Sequence, residues 1–173
     1  TDDTGGDCTT VPTNCTLRQA MADARDGDTI IFDSSLAGAT LNLGSQLTTK
    51  WPANNGGDLT LDASNLTNKI TLDAGGNSRV IKYNGKSTLT IINVVITGGS
   101  TDGFGGGVIS NGDLSIQKSE IIGNTAGTGV GLKNGGGVHA DGDVDISDST
   151  IAGNRVNQFG GGISAGGNVT VTN

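Results

Sequence analysis

Short apolar runs alternate with polar residues along most of the chain, and they recur at a fixed distance. Gly105 to Asn124 reads GGGVISNGDLSIQKSEIIGN, Gly135 to Asn154 reads GGGVHADGDVDISDSTIAGN, and Gly160 to Asn173 reads GGGISAGGNVTVTN. The first two copies are offset by 30 residues and the third follows 25 later. The length difference falls between the copies, where TAGTGVGLKN in one gap corresponds to RVNQF in the next. Stepping back 25 residues from Leu114 places LTIINVVITGG, from Leu89, under LSIQKSEIIGN as a fourth copy. A repeat of this size marks a stacked architecture, in which no unit buries its own apolar face.

Within each copy the local period is two: VIS, LSI and EII, then VHA, VDI and TIA, then ISA and VTV, separated by Gly, Asn and Asp. That spacing predicts strands of about three residues, not helices. Three short strands and three corners per copy predict an all-β parallel β-helix, with Leu114, Val144 and Val169 in one inward file and Ile116, Ile146 and Val171 in the next. Asn124 over Asn154 predicts a structural amide ladder at one corner, because a buried Asn can bond the Asn above it and the turn backbone. Ser119 over Ser149 predicts a similar pair, and the glycine triplets predict a corner of positive φ or close backbone approach. No Lys-Ser/Thr follows those triplets, so they do not read as a phosphate cradle.

The chain before the repeats has a different pattern. Cys8 and Cys15, the only cysteines, lie in a polar loop and predict a disulfide in an oxidising compartment; a zinc site would want two more ligands, and the only histidine, His139, is far along the chain. Thr16 as cap, Gln19 three residues on, the stripe Leu17, Ala20, Met21 and Ala24, and Gly27 as terminator predict an amphipathic helix of about ten residues. Too short to be stable alone, it is expected to cap the first coil. Short β runs follow at Ile30–Asp33, Leu41–Leu43, Leu59–Asp62, Ile70–Asp73 and Val80–Tyr83. The expected organisation is one domain over 1–173: a cap over 1–28, irregular first coils over 29–88, and regular repeats over 89–173. Trp51 reads as the packed foot of an inserted loop, ahead of an exposed sugar platform.

CTLRQAMADARDGDTIIF resembles the Cys-Ser-Leu-Arg-Glu-Ala motif, with its trailing Gly-Asp-Thr-Ile, found at the start of bacterial secreted and surface-anchored right-handed β-helix proteins. Cys15, Leu17, Arg18 and Ala20 match, while Thr16 and Gln19 replace Ser and Glu. Gly106 to Ile109, Ile121 to Asn124 and Ile151 to Asn154 are similar to the repeats of polymorphic outer membrane proteins, which are autotransported adhesins. The resemblance implies a right-handed, pectate-lyase-like β-helix outside the cell, and it brings no catalytic residues with it.

Charge narrows the partners. With 10 Lys and Arg against 17 Asp and Glu, the formal charge is −7, which repels nucleic acid and anionic membranes. Aromatic residues make up 3% of the chain, so an ordered core must come from stacked aliphatic files. No apolar run is long enough to span a bilayer. The N-terminus carries no leader pattern, which leads to the expectation that a secretion signal has been removed. The last residues, NVTVTN, stop in mid-coil, and either a longer protein or another copy is expected to cover them.

A polysaccharide-cleaving β-helix needs paired carboxylates on its outer face. The outward files read Thr90, Ser115, Asp145, Thr170; Lys82, Ile109, His139, Ser164; and Val95, Glu120, Thr150, so none holds a pair. His139, without an acidic neighbour in its file, reads as a solvated surface residue. Asp143 and Asp145 fall on one side of a strand and are a calcium candidate, with no other cofactor indicated. Asp62 and Asp73 with Arg79 and Lys82 are a second candidate, as an active-site cleft in the irregular coils. These features put an extracellular adhesion module first, binding a host surface or glycan. A polysaccharide-binding or polysaccharide-cleaving β-helix and a self-stacking fibre subunit are the alternatives.

Overall fold

A computed structural model describes residues 15–51, 56–127, 129, 134–157 and 159–173. Among the described residues the structure is mostly strand, the strands pair in parallel, and there is one α-helix. One sheet joins Asp28–Ile31, Leu59–Asp62, Thr88–Ile92, Asp113–Gln117, Val144–Ser147 and Val169–Thr172 in that order. A second joins Thr40–Asn42, Ile70–Asp73, Val94–Thr97, Glu120–Ile122 and Thr150–Ala152. A third joins Leu47–Thr48, Ile81–Tyr83, Val108–Ser110, Val138–Ala140 and Ile163–Ala165. The chain visits the three sheets in turn and pairs with its own previous pass. A fourth ladder, which the repeat pattern did not predict, joins Ser100–Thr101, Thr125–Ala126 and Arg155–Val156.

Register follows from which side chains must be inside. Leu59, Leu89, Leu114 and Val144 are in register, as are Leu61, Ile91, Ile116 and Ile146, and all are buried. Ile96 and Ile121 in the second sheet, and Leu47, Ile81, Val108 and Val138 in the third, close the same core. Each fully buried Leu or Ile contributes about 1.5–3 kcal/mol of apolar transfer. Because the side-chain period is two, slipping one strand by a residue would turn its whole file out.

Polar residues hold the corners. Asn124 is fully buried: its Oδ1 accepts from Gly99 N at 2.8 Å, and its Nδ2 donates to Ile96 O and to Asn154 Oδ1, both at 3.1 Å. Asn154 Oδ1 also accepts from Asn124 N at 2.9 Å, which makes the ladder expected from the sequence. Ser119 N donates to Ser149 Oγ at 2.9 Å. Replacing Asn124 with Ala strands a buried N–H and a buried carbonyl, so the expected loss is about 3 kcal/mol, read as a shift of the urea midpoint. A midpoint unchanged from wild type would mean that water replaces the amide there.

The helix is shorter than its pattern suggests. It spans Leu17–Asp23, capped by Thr16, whose side chain accepts from Gln19 N at 3.2 Å. It ends before Ala24, not at Gly27, because Ala24 is extended and its carbonyl accepts from Trp51 Nε1. Gln19 bonds Asp23 rather than closing a capping box. Leu17 and Met21 are buried in the common core, and the helix packs on the strand Leu47–Thr48. Trp51 is half-buried and meets the buried Tyr83 edge-on, with ring centroids 5.5 Å apart and planes at 74°. That contact makes it the packed foot of its loop. In the first pass the strand is Asp28–Ile31, and Asp33 instead caps the 3₁₀ turn Ser34–Leu36.

Candidate functional site

The predicted cleft does not assemble. Asp62 lies on the first sheet, Asp73 on the second and Lys82 on the third, so alternation and register carry the three side chains to different faces. Each aspartate is also engaged locally, Asp62 accepting from Ser64 N and Asp73 from Gly75 N, both at 2.8 Å. Arg79 faces none of them. Its guanidinium donates to Gly105 O (2.8 Å), Phe104 O (2.8 Å from Nη2), Gln46 Oε1 (2.9 Å) and Thr101 Oγ1 (3.3 Å). Burial lowers its pKa from the ordinary value. It is a clamp on the loop that leads into the glycine triplet.

Asp143 and Asp145 are separated in role. Asp143 Oδ1 accepts from Asn168 N at 2.6 Å, one pass above, while Asp145 projects from the exposed face of its strand. Asp143 belongs to a corner series that the sequence reading missed. Asp26 accepts from Asp58 N (3.0 Å), Asp58 from Thr88 N (2.9 Å) and Asp113 from Asp143 N (2.8 Å). A Cβ at Gly57, Gly142 or Gly167 would run into the carboxylate of Asp26, Asp113 or Asp143 respectively, which explains the recurring Gly-Asp and Gly-Asn pairs. The signal was those pairs at the repeat spacing. Among the described residues, no three or more His, Cys, Asp or Glu side chains gather to hold a metal ion. Cys15 is exposed at the helix entrance, and Cys8 lies outside the described residues.

The outer face of the third sheet gathers the side chains with the most chemistry. His139 is in register with Ile109 below and Ser164 above, with Lys82 one pass further down. It is not a solvated lone residue. Its side chain is 16% exposed, and its ring stacks on Phe104 with centroids 4.8 Å apart and planes at 25°. Nδ1 lies 3.2 Å from Ser164 Oγ, and Nε2 lies 3.5 Å from Asp141 Oδ1, whose other oxygen is 3.8 Å from Lys86 Nζ. Asp141 was legible as the i+2 neighbour on the same face. Phe104 was not, because it arrives from a corner one pass earlier, held there by Arg79.

The residue types are those of a nucleophile, a base and an orienting acid. At 3.5 Å the carboxylate is at the limit of hydrogen-bond range, so this geometry positions the ring more than it prepares proton transfer. Burial lowers the His139 pKa; Asp141 pulls the other way and the Arg79 charge adds to the lowering. The sole imidazole should therefore titrate below the ordinary value of about 6.5 in an NMR pH series, and lower still in Asp141→Asn. Because the folded protein holds this proton less tightly than the unfolded chain, the contribution to stability is full above about 6.5 and is lost as the pH falls towards the folded value. A midpoint at or above the ordinary value would contradict the burial argument.

Among the described residues, no helix is long and apolar enough to cross a membrane. Among the described residues, the strand faces carry Asp62 beside Ile92, Asp145 between Ser115 and Thr170, and Glu120 between Val95 and Thr150, whereas Asp113 and Asp143 are neighbours at a corner and each accepts a backbone N–H of the next pass. The chain matches no protein-family model, no curated protein and no solved structure.

Proposed function

We propose that the chain is a right-handed parallel β-helix, capped by its N-terminal helix and a Cys8–Cys15 disulfide, that works outside the cell as an adhesion module. The observation that carries this reading is the combination of filled inner files with strand faces that hold their carboxylates singly, while the neighbouring corner carboxylates Asp113 and Asp143 are each engaged by a backbone N–H of the next pass. The frame is stiffened from pass to pass by the Asn124–Asn154 and Asp corner ladders, and its outer face is left for display. General acid and base catalysis on a polysaccharide would want two facing carboxylates. The formal charge of −7 fits a neutral glycan or protein surface better than a polyanion.

The test is adhesion of the purified chain, on beads, to cells and to immobilised glycans, with soluble chain as competitor. Saturable, competed adhesion is the expected result. New reducing ends released from a polysaccharide, with no competed adhesion, would overturn the proposal in favour of cleavage. The cap is tested separately. Alkylation without reductant should leave both cysteines unmodified by mass, and modification of either at full yield rules the disulfide out.

A further inference from the structure

The corner that begins each glycine triplet sets up a file across three consecutive coils. Gly105 N donates to Asn134 O and Gly135 N donates to Phe159 O, both at 3.2 Å, so Phe104, Asn134 and Phe159 occupy the same corner in three consecutive coils. Asn134 and Phe159 are joined by a parallel bridge. Phe159 is 70% exposed, in a chain with only 3 Phe. Phe104, half-buried, is fixed in place by the His139 ring and by the Arg79 clamp on its carbonyl. Between the two aromatic positions, Asn134 Oδ1 is buried without a hydrogen-bond partner, a costly state for an amide oxygen.

We propose that this file is a binding site for an extended, neutral, β-1,4-linked glycan lying along the coil axis. The proposal rests on the adhesion reading and names its partner. Adjacent parallel strands are about 4.8 Å apart, so the two phenylalanines stand roughly 9.6 Å apart along the axis. That separation suits the disaccharide repeat of an extended β-1,4 chain, in which alternate pyranose rings present the same face. The ring faces carry negative quadrupole density, which attracts the C–H face of a sugar. Ser164 and Asp141, which flank the His139 ring, add polar groups to one side. With a formal charge of −7 the chain favours an uncharged glycan over a uronic acid polymer.

The experiment is calorimetric titration of the folded chain with cellohexaose and with cellobiose. The hexasaccharide, which alone spans both rings, should bind at least about tenfold more tightly than the disaccharide. Phe159→Ala, at an exposed position, should weaken hexasaccharide binding about tenfold at unchanged melting temperature, and Phe159→Trp should preserve or strengthen it. No hexasaccharide binding, or equal binding by Phe159→Ala, overturns the site. If the glycan fails while bead adhesion to cells persists, the adhesion reading stands with another partner, so the two fail separately.

Discussion

Replacing Ile116 with Asp should abolish cooperative folding, whereas the same substitution one residue away, at Ser115, should be almost silent. Ile116 is fully buried in the hydrophobic core, in register between Ile91 and Ile146. A carboxylate there forfeits the transfer energy of the isoleucine and meets no donor, at a cost of more than about 4 kcal/mol. A domain is held by about 5–15 kcal/mol in total, so that single change takes a large share of it. Ser115 faces outward, beside Thr90 and Asp145, and a carboxylate there stays in water; the repulsion from Asp145 is worth a few tenths of a kcal/mol to about 1. Circular dichroism through a urea titration reads both variants. A cooperative Ile116→Asp with the wild-type midpoint would mean that the register is wrong by one residue, since such a slip exchanges the two faces.

The inward files were legible because burial imposes the period of two and because stacking repeats it at 25 and 30 residues. Leu114 over Val144 and Ile116 over Ile146 follow from those two constraints alone. The Asn124–Asn154 ladder was legible for the same reason, as a polar residue at a position where every pass needs a corner donor and acceptor. The corner at Asn93, Lys118 and Asp148 was not. All three residues take positive φ, at 60°, 49° and 48°, and only Asn and Asp advertise that preference; Lys118 adopts it because the corner of each pass repeats the one below. The outer site was half legible. His139, Ser164 and Lys82 were placed in one file by alternation, but the Phe104 ring reaches His139 from a separate corner, and no periodicity in sequence links a strand face to a loop. Asp62 and Asp73 looked alike because LTLD and ITLD are alike, yet consecutive strands belong to different sheets. Similar words in sequence mark similar positions on a strand, not a shared face.

The glycine triplets give the second large effect, and Gly106 is the place to measure it. Its φ is not positive, so an alanine there carries no backbone penalty, and the cost is one of space alone. A Cβ would sit 2.5 Å from Gly136 O and closer still to Thr125 O, with backbone on both sides that cannot rotate away as a side chain could. Gly106 N is also committed, to Gly135 O at 3.2 Å and Gly136 O at 3.1 Å, so the corner cannot move off without breaking its bonds to the next pass. Gly106→Ala should therefore cost on the order of 3 kcal/mol or more, the upper range of overpacking. The matched control is Gly44→Ala, where a Cβ meets nothing within 4 Å and φ is likewise not positive; its effect should stay within about 0.5 kcal/mol. Gly136, the same position one pass on, is closed in by Arg155 O and Gly161 O, so Gly136→Ala should reproduce the Gly106 loss. Urea midpoints for the three variants decide it. A Gly106→Ala midpoint close to that of Gly44→Ala would show that successive corners lie further apart than 3.1–3.2 Å bonds allow, and the close approach that requires glycine would no longer explain why the triplet recurs.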